Sequence, residues 1–261
     1  MKKTTIRLKP IHPNAGVEAA YREKLFRLIK KMDESVSYWT LRDTMRDAEH
    51  AVLVFAGLTG RWTEIFDIAA EKMATSFVRE MTQHVEGNFA RQIKAYDLSI
   101  PFKRDLVGEN AVSAVIQENV ALIKSIPKQY LSDVEGMVMR SIAAGGDRRA
   151  LQLELQHRYG LTRKRAAFIA NDQSSKANAV MVQSQQEAIG CTEAEWLHSG
   201  GGREPRPDHV KASGKRYDIK KGMLLDDGWV KPGMLPNCRC VSIAVIDIFE
   251  SINNAYSQSR K

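Results

Sequence analysis

"KPGMLPNCRCVS" (residues 231–242) is where the chain changes character. Cys238 and Cys240 flank Arg239 and follow Asn237. They stand at the entrance to an apolar, β-branched run, "CVSIAVIDIF" (240–249). In an extended strand, residues two apart point to one face, so both thiols aim at the same spot. With one residue between them they make a poor disulfide pair. The spacing therefore favours a metal or a local cluster over a covalent staple.

Working outward, the composition turns Gly- and Pro-rich from Gly190 onward. "AEWLHS" (194–199), "KRYDI" (215–219) and "CVSIAVIDIF" read as strands. "SGGGREPRP" (199–207) reads as irregular loop. Residues 191–250 thus form a small β- and loop-containing module. A module of roughly 60 residues has a small core and needs a further tie. "RPDHVKASG" (206–214) brings His209 to the Cys-x-Cys pair, giving three donors suited to zinc. Zinc takes four protein ligands in a structural site, or three and water in a catalytic one. Asp208, His198 and Cys191 are candidates for the fourth. The other reading has His209 hydrogen-bonded in a loop and the thiols buried as small hydrophobes. The spacing leaves both open.

The first 190 residues read as almost entirely helical. After an extended arm (1–12), Val17, Ala20, Tyr21, Leu25, Leu28 and Met32 recur at steps of three and four, and the stripe runs on to Met45. "GLTG" (57–60) is expected to break it. A second helix carries Ile65, Ala69, Met73, Phe77, Met81 and Val85, and "LSIP" (98–101) ends it. A third, 109–125, is expected to stop at Pro127, with another over about 128–143. Asp147 caps a short helix closed by Gly160, and Thr162 caps a last one reaching Ala188. The fold class expected is α+β: a body of long amphipathic helices, divided at 13–104 and 105–190, then the module at 191–250 and a polar tail at 251–261.

The chain of 261 residues is 43% apolar and 27% charged, the balance of a globular protein. No run approaches the roughly 20 apolar residues of a membrane span. The basic start lacks an apolar signal core, so a cytoplasmic product without export is expected. Three cysteines are too few for a disulfide scaffold. The net charge of +8 concentrates at 203–221, where Arg203, Arg206, Lys211, Lys215, Arg216, Lys220 and Lys221 face three acidic residues. Such a segment can attract a polyanion such as double-stranded DNA, or be merely a solvated loop.

A hydrolase must be weighed. "DH" followed by "NCRC" is similar to the HNH nucleases, which pair a histidine base with a divalent metal. Those need a later histidine on a helix, and none follows His209. A metal-dependent nuclease using His209 is the alternative reading; no catalytic residue is assigned and no enzyme is expected.

The tail resembles the phage Mu F-like (SPP1 gp7-like) family of head morphogenesis proteins. The residues that carry this are "RKRAAFIANDQSSKANAVMVQSQQEAIG" (163–190), Trp196, "RPDH" with Gly214, Pro232-Gly233, and Asn237-Cys238-Arg239-Cys240. The opening "KPIHPNAGVEAAYREKLFRLI" (9–29) also looks like the start of minor head proteins of this group. Relatives often carry "ARTE" where this chain has "ANDQ" (170–173), and an Asp where it has "GGG" (200–202). The resemblance implies a minor capsid protein of a tailed bacteriophage. It would enter the procapsid near the portal protein and other head proteins, and contact packaged DNA. It would reside in the virion head, after assembly in the host cytoplasm, without a membrane. Some relatives continue into a toxin domain; with the chain ending at Lys261, none is expected. Cys238, Cys240 and His209 are expected to converge, with or without a structural zinc.

Overall fold

The computed structural model describes residues 3–42, 47–96, 106–200 and 204–249. Arg203 and the tail at 251–261 lie outside the described residues. In chain order the elements are β1 (Lys3–Arg7), α1 (Ala15–Arg42), α2 (Ala48–Ala95), α3 (Leu106–Ala143), α4 (Arg148–Ala188), β2 (Glu193–Leu197), α5 (Pro207–Ala212), β3 (Arg216–Asp218), β4 (Met223–Leu225), β5 (Gly228–Val230) and β6 (Val241–Phe249). The α+β class holds: four long helices, then a small strand-containing region.

The expected breaks at glycine and proline are not breaks. Through "GLTG" the buried positions Ala51, Phe55, Leu58, Trp62 and Phe66 keep a helical stripe, and α2 runs on without interruption. A glycine costs a helix about 1 kcal/mol relative to alanine, less than the burial of any one of these large side chains contributes. Pro127 lies inside α3. It costs about 3 kcal/mol, opposed by Ile123, Ile126, Tyr130, Leu131 and Val134, all buried around it. Gly160 is likewise internal to α4. Thr162 is not a cap there; its hydroxyl donates back to the Arg158 carbonyl at 3.0 Å. Asp147 does cap α4, accepting from the amides of Arg149 and Ala150 at 2.9 and 3.1 Å.

The chain forms two compact units that interleave in sequence. One comprises 15–79 and 114–173, the other 1–14, 80–113 and 174–261. This differs from the linear partition at 104/105 and 190/191, because α2, α3 and α4 each contribute to both. Among the described residues, the regular elements of the first unit are all helices. Its α1 stripe of Tyr21, Leu25, Ile29, Met32 and Val36 is buried, and Tyr21 stacks on Phe77 at 4.4 Å. A polar chain crosses this core: Tyr21 Oη donates to Asn119 Oδ1 (3.1 Å), and Asn119 Nδ2 donates to Gln173 Oε1 (2.9 Å). Gln173 belongs to "ANDQ" (170–173), so this stretch serves the helical core.

The second unit holds the sheet, ordered β1-β6-β2-β3 and antiparallel throughout. The long β6 pairs β2 along its first half (Leu197↔Val241 to Ala194↔Ala244) and β1 along its second (Arg7↔Val245 to Lys3↔Phe249). The N-terminal arm is therefore an edge strand, and it adds to the core. Leu8 and Ile11 are buried, the Leu8 amide bonds the Ala244 carbonyl at 3.0 Å, and Asn178 of α4 donates to the Ile11 carbonyl at 2.9 Å. β4 and β5 make a separate hairpin in a stretch whose composition predicts only loop.

Candidate functional site

Trp196 is the anchor of the site. It lies on β2 and is fully buried. Its indole meets the His209 ring edge-on at 5.0 Å and Tyr217 of β3 at 6.0 Å. "RPDH" is a helix start rather than a loop. Arg206 takes the N-cap position and Pro207 opens α5, where its missing N–H costs nothing. Asp208 accepts from the amides of His209 and Asp226, at 2.8 and 3.1 Å. This joins α5 to the β4–β5 turn and leaves His209 pointing inward. The Gly214 amide bonds the Trp196 carbonyl at 2.8 Å, which returns the chain from α5 to the sheet.

From the other side, the segment 231–240 is pressed against α4. Pro232 and Gly233 are buried. A side chain at Gly233 would meet Ala179 Cβ at 2.9 Å and the Cys240 carbonyl at 3.1 Å, and its φ of 81° is left-handed. Only glycine fits such an approach. The turn continues through Asn237, whose φ of 60° is a conformation that asparagine tolerates. It delivers Cys238 and Cys240 on either side of the exposed Arg239.

The three expected residues converge. His209 Nδ1 lies 3.5 Å from Cys238 Sγ and 3.7 Å from Cys240 Sγ, and all three are buried. The Gly233 amide donates to Cys238 Sγ at 3.4 Å. A hydrogen bond from the Cys240 thiol holds Cys238 well below the usual thiol range. The same bond, with burial, pushes Cys240 up. The cluster forms one wall of a cavity of about 870 Å³, shared with His198, Glu204 and Arg206.

None of the expected fourth donors joins the cluster. Asp208 is engaged as described, and His198 Nδ1 accepts the Gly200 amide at 3.1 Å. Cys191 lines a different cavity with Val245 and Asp247, its thiol pushed up to about 11 by burial. Among the described residues, His209, Cys238 and Cys240 are the metal-ligand group present.

The basic segment divides. Lys211, Lys215, Arg216, Lys220 and Lys221 are exposed, although Arg216 faces Glu193 at 3.6 Å. Arg206 is partly exposed and lies along the surface of the fold, donating to the Pro236 carbonyl at 3.2 Å and lying 3.7 Å from Asp227. Sequence reasoning missed the polar links that fix the sheet to α4. Tyr217 Oη donates to Ser242 Oγ at 2.7 Å, and the Gln186 amide bonds the same oxygen at 2.8 Å. The available signal was the density of Asn, Gln and Ser in "NDQSSKANAVMVQSQQ" (171–186), more polar residues than an ordinary helix buries.

Residues 132–243 match the family model described as phage Mu protein F like protein. An uncharacterized protein of Haemophilus influenzae (strain ATCC 51907 / DSM 11121 / KW20 / Rd) is 29% identical over 258 residues, covering 94% of this chain. The chain spans 57% of that relative's length. No solved structure matches. The matched segment contains Trp196, "RPDH", Pro232-Gly233 and "NCRC", the residues that pack on one another around His209, so the similarity to phage Mu protein F falls on the site itself.

Proposed function

We propose that this protein is a minor head morphogenesis component of a tailed bacteriophage, built into the procapsid next to the portal and retained in the virion. The observation that carries this reading is the family match over 132–243, which coincides with the residues folded around Trp196 and His209. Its partners are the portal and other head proteins, assembled in the host cytoplasm. No helix among the described residues is long and apolar enough to cross a membrane. The role is one of binding rather than turnover. His209 turns Nδ1 to two sulfurs and is buried, which disfavours a nuclease base that must reach a scissile phosphate. The test is to purify heads produced by the phage or prophage that encodes the chain. The protein is expected in the heads by mass spectrometry, and its deletion is expected to give malformed or poorly filled ones. Its absence from purified heads would overturn the reading.

DNA binding is part of the proposal, through the exposed cations between Lys211 and Lys221. Binding to duplex DNA should be independent of sequence and weaken with salt. Replacing Lys211, Lys215, Lys220 and Lys221 by Gln together should lower the slope of log affinity against log salt, by roughly one unit for each phosphate no longer neutralised. Arg206 is left intact in this variant because it holds the Pro236 turn. Wild-type binding without salt dependence would show these lysines to be solvated charges only.

A further inference from the structure

The three side chains at the cavity wall have the spacing of ligands around one metal ion. In a tetrahedral zinc site, bonds of about 2.3 Å to sulfur and about 2.05 Å to nitrogen place the two atoms about 3.6 Å apart. The separations here, 3.5 and 3.7 Å, agree within the roughly 0.2 Å expected of a ligand set. A metal-free hydrogen-bonded cluster has no reason to be so symmetrical. Nδ1 carries one lone pair or one proton, so it serves one sulfur at a time, yet both sulfurs stand at nearly the same distance from it.

Charge supports the same conclusion. Two thiolates and a neutral imidazole balance Zn²⁺ completely, so the buried centre would carry no net charge. The Gly233 N–H on Cys238 Sγ is the kind of outer bond that orients a metal thiolate. The ligands also come from separately anchored pieces. His209 is set by Pro207 and Asp208, Cys238 by the Gly233–Asn237 turn, and Cys240 by the start of β6.

We propose that His209 Nδ1, Cys238 Sγ and Cys240 Sγ bind one zinc ion, whose fourth position faces the cavity and is held by water. Asp208 and His198 are engaged by backbone amides and Cys191 lines a different cavity, so among the described residues none of the three fills that position and an exogenous donor can enter there. This inference stands apart from the assembly role, because it concerns metal content and not incorporation into heads.

The full chain is purified from zinc-supplemented cells, dialysed against a moderate chelator and assayed for metal. One zinc per chain is expected. It should be retained in C191S and lost in the C238S/C240S double variant, with affinity in H209A lowered by at least about 100-fold. Substitution by cobalt should give thiolate-to-metal charge-transfer bands that halve in C238S and in C240S. The ligand-field bands of a tetrahedral ion should shift on addition of imidazole, in H198A as in wild type. Circular dichroism of each variant separates loss of ligands from loss of the helices. Wild-type protein that holds no more metal than the double variant would overturn the site. So would cobalt bands indifferent to both cysteines. Loss of zinc in H198A, or bands that imidazole does not move, would overturn the open fourth position.

Discussion

Deletion of residues 2–12 should destabilise the sheet-bearing unit by about 3–6 kcal/mol. Leu8 and Ile11 are 2% and 5% exposed, and full burial of such side chains contributes about 1.5–3 kcal/mol each. The Asn178 amide on the Ile11 carbonyl would also lose its acceptor, leaving a buried donor without a partner. Removing β1 bares the second half of β6, an apolar strand edge that invites pairing with another copy. Denaturant unfolding should show an earlier transition for the truncated chain, and size exclusion should show self-association. A chain that unfolds at the wild-type midpoint and stays monomeric would mean that the arm is dispensable to the fold. The Arg7–Glu195 pair, bonded at 2.7 and 2.8 Å, adds little to this loss. The Arg7 side chain is half exposed, and such pairs contribute about 1 kcal/mol or less. Donation from Arg7 holds Glu195 below the usual carboxylate range. Its small share of stability is therefore present above the unfolded pKa and is lost as pH falls through the lowered one.

Trp196→Ala should cost about 3–5 kcal/mol, the range for removing a buried aromatic side chain. The indole is fully buried and meets both His209 and Tyr217 edge-on, so the space left behind opens directly onto the His–Cys cluster. Two measurements are expected to move together. The unfolding midpoint of the sheet-bearing unit should fall, and Cys238 and Cys240 should react faster with a thiol reagent. Trp196→Phe should recover part of both, because it restores an aromatic edge for the imidazole. Unchanged thiol reactivity in Trp196→Ala would show that the cluster is held by its own turn and α5, and that the indole only fills space.

The sequence was most legible where local chemistry and tertiary demand agree. The period of Tyr21, Leu25, Met32 and their neighbours specifies α1, and the β-branched run after Cys240 specifies β6. Asp147 specifies the start of α4. Cys-x-Cys beside a strand, with one histidine upstream, was enough to anticipate the cluster, because alternate strand positions share a face whatever the rest of the fold does. The misreadings were local signals outweighed by packing. Gly57, Gly60, Pro127 and Gly160 all weaken a helix, by about 1 kcal/mol for each glycine and about 3 for proline. Each lies among buried side chains whose combined burial is worth more.

By itself, then, the sequence determined the fold class, the helical body, the strand-rich C-terminal module and the three residues of the His–Cys cluster. Only the tertiary structure decided which pieces belong together. Strand pairing of residues 3–7 with 245–249 joins chain ends whose periodicities carry no mark of each other. The close approach of Gly233 to α4 and the bond from Arg206 to the Pro236 carbonyl likewise depend on surfaces brought together from distant parts of the chain. Periodicity reports which face of an element is buried; the element that buries it is selected by shape and hydrogen-bond complementarity, which exists only once the chain has folded.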